Sequence, residues 1–200
     1  MTQSAILVPP QAATVEPLAD PGSTTARTQL RRVLGTFPTG VTAVAGIVSG
    51  APVGFAANSF TSVSLDPALV AICVAHSSTT WPTLVQAERI GVSVLAVDQG
   101  QVCTQLSARV QDRFQDVDWH ANEGGAVFIR GASAWLDCAV EVIVPAGDHD
   151  IVVMAVHGLG IDQGVDPLVF HASRFNQLAI RGPRPLQSAF RPHTSVDALW

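Results

Sequence analysis

The chain has 200 residues, of which 48% are hydrophobic and only 14% are charged. Its 11 basic residues, all of them arginine, are outnumbered by 16 acidic residues, so the formal net charge at pH 7 is −5. A chain of this length suits one domain, and its apolar content excludes extensive disorder. The acidic balance and the scattered arginines argue against a protein that binds nucleic acid.

Both ends of the chain differ from its middle because they are rich in proline. Residues 1–28 are expected to form a disordered arm, and residues 181–200 are expected to form a loop-like tail. The arm has no basic start and no uninterrupted apolar run, so we do not expect a signal peptide. These limits leave one globular domain over residues 29–180.

No charged residue occurs between positions 33 and 65, a stretch long enough to test for a membrane span. Glycine, proline, asparagine or a hydroxyl side chain interrupts it every few residues, whereas a spanning helix needs about 20 mostly apolar residues. We therefore expect no membrane association. Part of this apolar sequence is expected to face another subunit, because one domain interior cannot bury all of it.

The three cysteines, Cys73, Cys103 and Cys138, are widely spaced and lie among apolar residues. Their number is odd, and their spacing fits neither a zinc site nor a disulfide framework. They are predicted to be buried free thiols, and a reducing cytoplasm is the simplest location for the protein. No metal site is expected.

Hydrophobic periodicity and turn residues predict the elements of the chain in order. The first half is expected to contain a helix at 25–36, strands at 41–48, 53–64 and 69–75, and a short helix that begins at Thr80. The second half is expected to contain a strand at 90–97, a helix capped by Asp98 with Val102, Leu106 and Val110 on one face, and strands at 135–144, 150–161 and 168–171. Residues 145–148 should connect the two long strands.

Many strands with short helices between them predict a mainly β fold, most simply a closed or nearly closed barrel. Strands 41–48 and 69–75 are apolar on both faces, which is typical of strands that are central or covered on both sides. Neither a GxGxxG motif nor a Walker loop is present, so neither a Rossmann nor a P-loop nucleotide site is supported.

Two polar segments interrupt the apolar strands. The run 58–64 offers an asparagine and several hydroxyls that suit the edge of a heteroaromatic ring, although a solvated edge strand would look the same. The segment 76–80 places four hydroxyls before a predicted helix, where they could hold an anion. A plain capping turn, which needs only one hydroxyl, is the alternative.

Two further segments combine aromatic and titratable side chains. Residues 147–150 place His149 between two acids, either as a site residue or as a polar loop residue. Residues 170–175 supply aromatic rings and a cation that could stack on a ring and contact phosphate, or they could form a barrel-closing strand. Arg109 and Arg113, close to Asp112 and Asp116, are expected on a solvated, ion-paired helix face.

Together and in this order, the segments resemble the flavin reductase family, and more narrowly the reductase component of two-component flavin-dependent monooxygenases. The resemblance covers about residues 30–178 and rests on FPTGVT (37–42), GFAANSFTSVSLDP (54–67), SSTTWP (77–82), VLAVD (94–98), DRF (112–114), GDH (147–149) and DPLVFH (166–171). It implies an FMN-binding split β-barrel that forms a homodimer, with FMN or FAD bound at the subunit interface.

The resemblance also implies that NADH or NADPH reduces the flavin, which is then handed to a partner monooxygenase. The residues implied to line the flavin ring and its ribityl chain are Ala57, Asn58, Ser59, Thr61 and Ser62. The flavin phosphate would be held by Ser77, Ser78, Thr79 and Thr80, with Arg109 as the counter-ion. His149 would position the nicotinamide, and the residues implied to cover both rings are Phe170, His171, Arg174 and Phe175.

Two other functions remain open at this point. The chain could be a split-barrel flavoprotein that holds FMN tightly and acts directly on an organic substrate, or a non-enzymatic flavin-binding or electron-carrier module. Family members commonly carry a lysine near Arg109 and a tyrosine in the segment around Phe170 and Phe175. Arginine and phenylalanine preserve the charge and the ring stacking, but not a tyrosyl hydroxyl contact.

Overall fold

The computed structural model describes residues 14–110 and 112–179, and the chain divides into two compact units after Thr36. In the first unit, helix α1 (Thr24–Leu34) begins one residue before the predicted start. It begins there because the Ser23 hydroxyl accepts a hydrogen bond of 3.1 Å from the amide of Ala26, which caps the helix. Residues 1–13 of the predicted arm at 1–28 and the whole predicted tail at 181–200 lie outside the described residues, and the domain limits at 29 and 180 stay predictions.

Where the structure describes it, the second unit consists mainly of antiparallel strands with two short helices. Its elements are β1 (Thr39–Gly40), β2 (Thr42–Val48), β3 (Ala51–Ala57), β4 (Thr61–Leu65), β5 (Ala68–Ala75), α2 (Trp81–Leu84), β6 (Ile90–Val94), α3 (Gly100–Ser107), β7 (Trp119–Ala121), β8 (Val127–Ile129), β9 (Ala134–Ala146), β10 (His149–Ile161), β11 (Val169–His171) and β12 (Arg174–Asn176). This composition confirms the prediction of a mainly β fold.

Seven of the strands form one antiparallel sheet in the order β3-β2-β6-β9-β10-β5-β4. Strands β3 and β4 lie at its two edges, although β3 ends at Ala57 and β4 begins at Thr61. A connection of this length spans at most about 14 Å, so the sheet must curl until its edges approach each other. The result is the nearly closed barrel that the strand pattern predicted.

The barrel has an inner core and an outer one. Val44, Ile72 and Val152 lie in the inner core, which α2 closes with Leu84. On the other face of β2, Ala43 joins an outer core built with α3, β8 and the segments that follow them. Strand β2 is therefore buried on both faces, as its uninterrupted apolar sequence predicted.

The predicted strand 53–64 is wrong, because the chain forms two strands separated by residues 58–60. Ser59 occupies the break, where its Oγ accepts from the amide of Cys73 and donates to the carbonyl of Cys73, both at 3.0 Å. This side chain supplies the two bonds that a continuous strand backbone would have made. Periodicity could not reveal the break, because the bonds that stabilise it go to Cys73, 14 positions along the chain.

The helix predicted to start at Asp98 begins instead at Gly100 and ends at Ser107. Gln99 holds its start, since its side chain accepts from the amide of Ala96 and donates to the carbonyl of Arg130. The extended backbone of Ala108 ends the helix. Val110 consequently lies beyond it and is half exposed.

The hairpin of β9 and β10 is longer and tighter than predicted. Ala146 pairs with His149, so only Gly147 and Asp148 form the turn. Gly147 has a φ of +68°, which is a conformation that favours glycine. The turn therefore fixes where the GDH motif lies relative to both strands.

Two of the three cysteines match the prediction of buried free thiols, and the third does not. Cys103 and Cys138 are buried, and burial raises the pKa of both thiols, that of Cys138 to about 12 with a further contribution from Asp137. Cys73 is free but exposed. It lies between Ile72 and Val74, whose side chains enter the barrel, so strand alternation directs Cys73 to the opposite face.

Within the described ranges, the structure contains no helix with the length and apolar character needed to cross a bilayer.

Among the same residues, no three histidine, cysteine or acidic side chains come close enough together to hold a metal ion.

Candidate functional site

Two adjoining cavities open beside the break between β3 and β4. The first has a volume of about 500 Å³ and the second a volume of about 400 Å³. They share the lining residues Ala56, Ala57, Asn58 and Ser107. Because they share these residues, the two cavities form one continuous groove across the end of β3, with Asn58 at its centre.

The first cavity is mostly apolar. Val41 and Cys103 form part of its wall, and Phe170 and Phe175 close one side with ring centroids 5.8 Å apart. Phe175 also contacts the start of α3, where a Cβ on Gly100 would come within 3.2 Å of its ring. Strands β11 and β12 thus hold two aromatic rings against α3, and the slot they form suits a flat apolar group.

The second cavity is polar and includes the segment 77–80, which the resemblance implied as the phosphate site. The Ser78 hydroxyl accepts a hydrogen bond of 3.2 Å from the amide of Trp81, the first residue of α2, and so satisfies one amide at the start of the helix. The Thr80 hydroxyl accepts from Arg113, while Ser77 and Thr79 are exposed. The interpretation as a plain capping turn thus accounts for the Ser78 hydroxyl alone. The exposed hydroxyls of Ser77 and Thr79 face solvent, where an anion can reach them.

Two arginines line this second cavity, although only Arg109 was predicted there. Arg113 donates from Nε to the carbonyl of Ala108 at 2.7 Å and from Nη1 to the carbonyl of Gly54 at 3.3 Å, besides its bond to Thr80. Helix α3 fixes this segment, because the side chain of Gln105 donates to the carbonyl of Arg113 at 3.2 Å. Arg113 is therefore held rigidly at the cavity wall.

The expectation of a solvated, ion-paired helix face at Arg109 and Arg113 is wrong. The helix ends before either residue, and neither arginine forms an ion pair with any residue that the structure describes. The neighbouring Asp112 instead accepts a hydrogen bond of 2.9 Å from the amide of Phe114. Arg113 lies in the DRF motif (112–114), and that position was the signal that could have identified it as a site residue.

His149 lines the same cavity at the hairpin turn. Its Nδ1 lies 2.7 Å from Oδ1 of Asp148, whereas Asp150 contacts Nε2 of His76 at 3.0 Å. The two acids that flank His149 in sequence therefore serve two different histidines. The imidazole of His149 is held through Nδ1. None of the described residues makes a hydrogen bond with its Nε2, so this second nitrogen is available to a ligand.

Not every predicted residue lies in the groove. Of the fifteen predicted site residues, eleven line one of the two cavities: Ala57, Asn58, Ser59, Ser77, Ser78, Thr79, Thr80, Arg109, His149, Phe170 and Phe175. Thr61, Ser62, His171 and Arg174 are exposed and line neither cavity. Residues that the sequence reasoning missed, besides Arg113, include Ser107 and Cys73 in the wall.

The charges of the groove define the ligand that fits it. Its apolar end accepts a planar ring, and its polar end offers hydroxyls and two arginines that no acid of the described chain neutralises. A phosphate-bearing heteroaromatic molecule matches both ends. A flavin nucleotide has this chemistry, so the side chains present fit the predicted cofactor.

Comparison with known proteins identifies the family of this chain. Residues 34–179 match the flavin reductase like domain. A Rhizobium meliloti (strain 1021) protein named a probable flavin reductase is 40% identical over 144 residues, covering 68% of this chain but only 46% of its own length. The reductase subunit HsaB of a flavin-dependent monooxygenase from Rhodococcus jostii (strain RHA1) is 35% identical, covering 86% of this chain and 82% of that protein.

A solved structure supports the same relationship. The NADH:FAD oxidoreductase SgcE6 of Streptomyces globisporus C-1027, in complex with NAD and FAD fragments, is 39% identical and superposes with a TM-score of 0.74. The match covers 82% of this chain and 98% of that one. The sequence match, the barrel with its groove and the shared fold agree with each other, and the chain belongs to the flavin reductase family.

Proposed function

We propose that this chain oxidises NADH or NADPH to reduce free FAD or FMN and supplies the reduced flavin to a separate monooxygenase. The observation that carries the proposal is a continuous groove with an apolar ring slot at one end and, at the other, two arginines that pair with no acid among the described residues. The relatives support it, since one is a monooxygenase reductase subunit and another is an NADH:FAD oxidoreductase.

In this proposal the flavin ring lies near Asn58 at the centre of the groove. The flavin phosphate lies against the segment 77–80, with Arg109 and Arg113 as its counter-ions. Phe170 and Phe175 cover the rings from the apolar side. Thr61, Ser62, His171 and Arg174, which line neither cavity, remain predicted contacts from the family resemblance alone.

The protein needs neither an acid nor a base for this reaction, because bound flavin and nicotinamide supply the hydride-transfer chemistry themselves. The Asn58 amide can donate to the polar edge of the ring, where negative charge develops on reduction. Asp148 orients His149 so that Nε2 can position the nicotinamide carboxamide. His149 is thus proposed to set the distance and angle between the rings and to transfer no proton.

The exposure of the groove favours an exchangeable flavin over a permanently bound one. Asn58, Ser77, Thr79, Ser107 and Arg109 line the groove and are all exposed to solvent. A flavin held there by hydroxyls and a solvated cation can leave after reduction. This feature favours a reductase over the two alternatives, which both need the flavin to stay.

We also propose that two copies of the chain associate, as the family resemblance implies. Large apolar side chains on β4, β9 and β10 are between 39% and 81% exposed in a single copy: Val63, Leu65, Val142, Ile143, Val144, Leu159 and Ile161. Val142 and Val144 share one face of β9, and Leu159 and Ile161 share one face of β10, so each pair forms a small apolar patch. A second copy that covers such patches, together with Val63 and Leu65 of β4, is the simplest account.

A cytoplasmic location fits the proposal, because the three cysteines form no disulfide and the cytoplasm supplies reduced nicotinamide.

One experiment tests the activity directly. The purified chain is mixed with NADH and either FAD or FMN, and the absorbance of the reduced nicotinamide is followed. We expect NADH to be consumed only when flavin is added. If no flavin-dependent consumption occurs with either nicotinamide, the proposed function is wrong. A protein that stays yellow through gel filtration would instead favour a flavoprotein with tightly bound FMN.

A further inference from the structure

Arg113 reaches the polar cavity from a segment that lies in neither a helix nor a strand. Helix α3 ends at Ser107, and the next element that the structure describes is β7, which begins at Trp119. A cation on such a segment binds a phosphate well only where its backbone is already held, because ordering the backbone on binding would cost conformational entropy. The contacts that hold this backbone therefore contribute to binding at the polar end of the groove.

Gln105 makes two of these contacts from α3. Its side-chain Nε2 donates to the carbonyl of Arg113 at 3.2 Å and also to the carbonyl of Gln115. Both partners are carbonyl oxygens, which only accept, so the NH₂ end of the amide must face them and each of its two hydrogens has an acceptor. Phe114, between the two carbonyls in sequence, is buried in the outer core. One helical side chain thus holds the backbone on both sides of a core residue.

The side chain of Arg113 ties the same segment back to the end of α3. Its Nε donates to the carbonyl of Ala108 at 2.7 Å, and its Nη1 donates to the hydroxyl of Thr80. Any shift of the Arg113 backbone away from α3 would carry the guanidinium with it and strain both of these bonds. The contact with Gln105 therefore sets where this cation lies in the cavity.

Gln105 itself lies outside the groove. It lines neither of the two cavities, although its neighbours Thr104 and Leu106 each line one of them. It also lies outside every motif that carries the family resemblance. A ligand in the groove is therefore not expected to contact Gln105, and an effect of this residue on binding must pass through the segment that it holds.

We propose that Gln105 is a positioning residue of the flavin phosphate site, which it serves by fixing Arg113. The inference rests on the proposed function, because it takes Arg113 to be a counter-ion of the flavin phosphate. Without the two bonds from Gln105, phosphate binding would have to order the Arg113 backbone first. The affinity for a phosphorylated flavin should then fall, whereas binding of the flavin ring should not change.

The test removes the donors of Gln105 and adds no charge. Gln105→Met keeps the length of the side chain but cannot donate to either carbonyl. The matched control is Gln101→Met, the same change one turn earlier on α3, at an exposed residue whose side chain makes no hydrogen bond within the described chain and lines neither cavity. Gln105→Asn is a milder second variant, since it keeps the amide on a shorter side chain and should weaken both bonds without removing them.

Dissociation constants for FMN and riboflavin are measured by quenching of flavin fluorescence for each protein. We expect the wild type and Gln101→Met to prefer FMN over riboflavin by the same ratio. Gln105→Met should weaken FMN by about fivefold, the factor that corresponds to one ordinary hydrogen bond, with riboflavin almost unchanged. Gln105→Asn should change the ratio in the same direction by a smaller factor. A merely structural role would lower the melting temperature without changing this ratio.

A double-mutant cycle tests whether Gln105 acts through Arg113. In a chain that already carries Arg113→Ala, Gln105→Met should have little further effect on the ratio, because the cation that it positions is absent. If the two substitutions instead multiply their separate effects on the ratio, Gln105 does not act through Arg113 and the inference is wrong.

Three further results would overturn it. These are an equal loss of FMN and riboflavin binding in both Gln105 variants, no loss of FMN binding in either, and a selective loss of FMN binding in Gln101→Met as well. Failure of the proposed function has a different signature, because the wild type would then show no flavin-dependent NADH consumption.

Discussion

Arg113 donates a hydrogen bond from Nη1 to the hydroxyl of Thr80, a residue 33 positions earlier in the chain. This contact fixes a cation beside the hydroxyl segment that precedes α2. Arg109, four residues earlier, lines the same cavity but is exposed and makes no such bond within the described chain. The two arginines therefore differ in rigidity, and removing them should have different effects.

Replacing Arg109 by alanine should weaken the binding of FMN without affecting the fold. Its exposed charge is partly screened, so the expected loss is about fivefold to tenfold, or about 1–1.4 kcal/mol. Riboflavin, which has no phosphate, should bind equally well to both proteins. Titration calorimetry with the two ligands checks this, and an equal loss for both would remove Arg109 from the phosphate site.

Arg113→Ala provides the contrast to that variant. It removes three hydrogen bonds to Ala108, Gly54 and Thr80, and it leaves partly buried acceptors without their donor. The expected result is a lower melting temperature as well as weaker FMN binding, because each lost charge-assisted bond costs about 1.5–3 kcal/mol. Differential scanning calorimetry of both arginine variants should show destabilisation only for Arg113→Ala.

His149→Ala should raise the KM for NADH by about tenfold, equivalent to about 1.4 kcal/mol, while the KM for flavin changes little. The reason is that His149 is proposed to position the nicotinamide only. His76→Ala is the matched control, since His76 also pairs with an acid but lines neither of the two cavities. Steady-state kinetics with each substrate varied in turn gives the two KM values. A rise confined to the flavin KM would contradict the assignment of His149 to the nicotinamide.

Gly91 should tolerate no side chain. A Cβ at this position of β6 would lie 2.1 Å from the carbonyl oxygen of Val127, and that oxygen belongs to the backbone of β8. Gly91→Ala must push the two strands apart, at a cost of about 2–4 kcal/mol. Gly40→Ala, where nothing lies within 4 Å of the added atom, should leave the midpoint of urea unfolding almost unchanged. Equal midpoints for the two variants would disprove the close packing.

The fold was more predictable from sequence than the site because strand burial leaves a local pattern. Strand β2 is buried on both faces, and its unbroken apolar run indicated this directly. The break at Ser59 left no such pattern, since the bonds that stabilise it go to Cys73, 14 positions away. Local periodicity can indicate which residues are apolar, but it cannot show which distant backbone group a hydroxyl will contact.

The same limit explains the errors at the arginines. Charges at helical spacing suggested a solvated face, and the sequence contained nothing to show that Ala108 would end the helix. The motif resemblance identified eleven residues that do line the groove, because motifs summarise long-range contacts that periodicity does not. It was less informative for Thr61 and Ser62, which a single copy of the chain leaves exposed.

Cys73 should be the most reactive of the three thiols. It is exposed and lines the second cavity, whereas Cys103 and Cys138 are buried and have raised pKa values. Since the thiolate is the reactive form, the buried thiols should react slowly with iodoacetamide at pH 8, where Cys138 is almost fully protonated. Mass spectrometry should find a single fast modification at Cys73 that bound FAD slows. Equal labelling of all three thiols, or no protection by FAD, would contradict this.

The association of two copies makes a prediction about the exposed face of β4. Leu65 is 71% exposed in a single copy, so a charge there should not disturb the folded chain. If a second copy covers this face, Leu65→Glu buries an unpaired charge in the interface and should separate the copies. The matched control is Val15→Glu, which changes an exposed apolar residue of the first unit. Light scattering after gel filtration should give twice the 21.0 kDa of one chain for both the wild type and this control. Leu65→Glu should give the mass of one chain with an unchanged circular dichroism spectrum, and a wild type that elutes as one chain would show that the apolar face has another role.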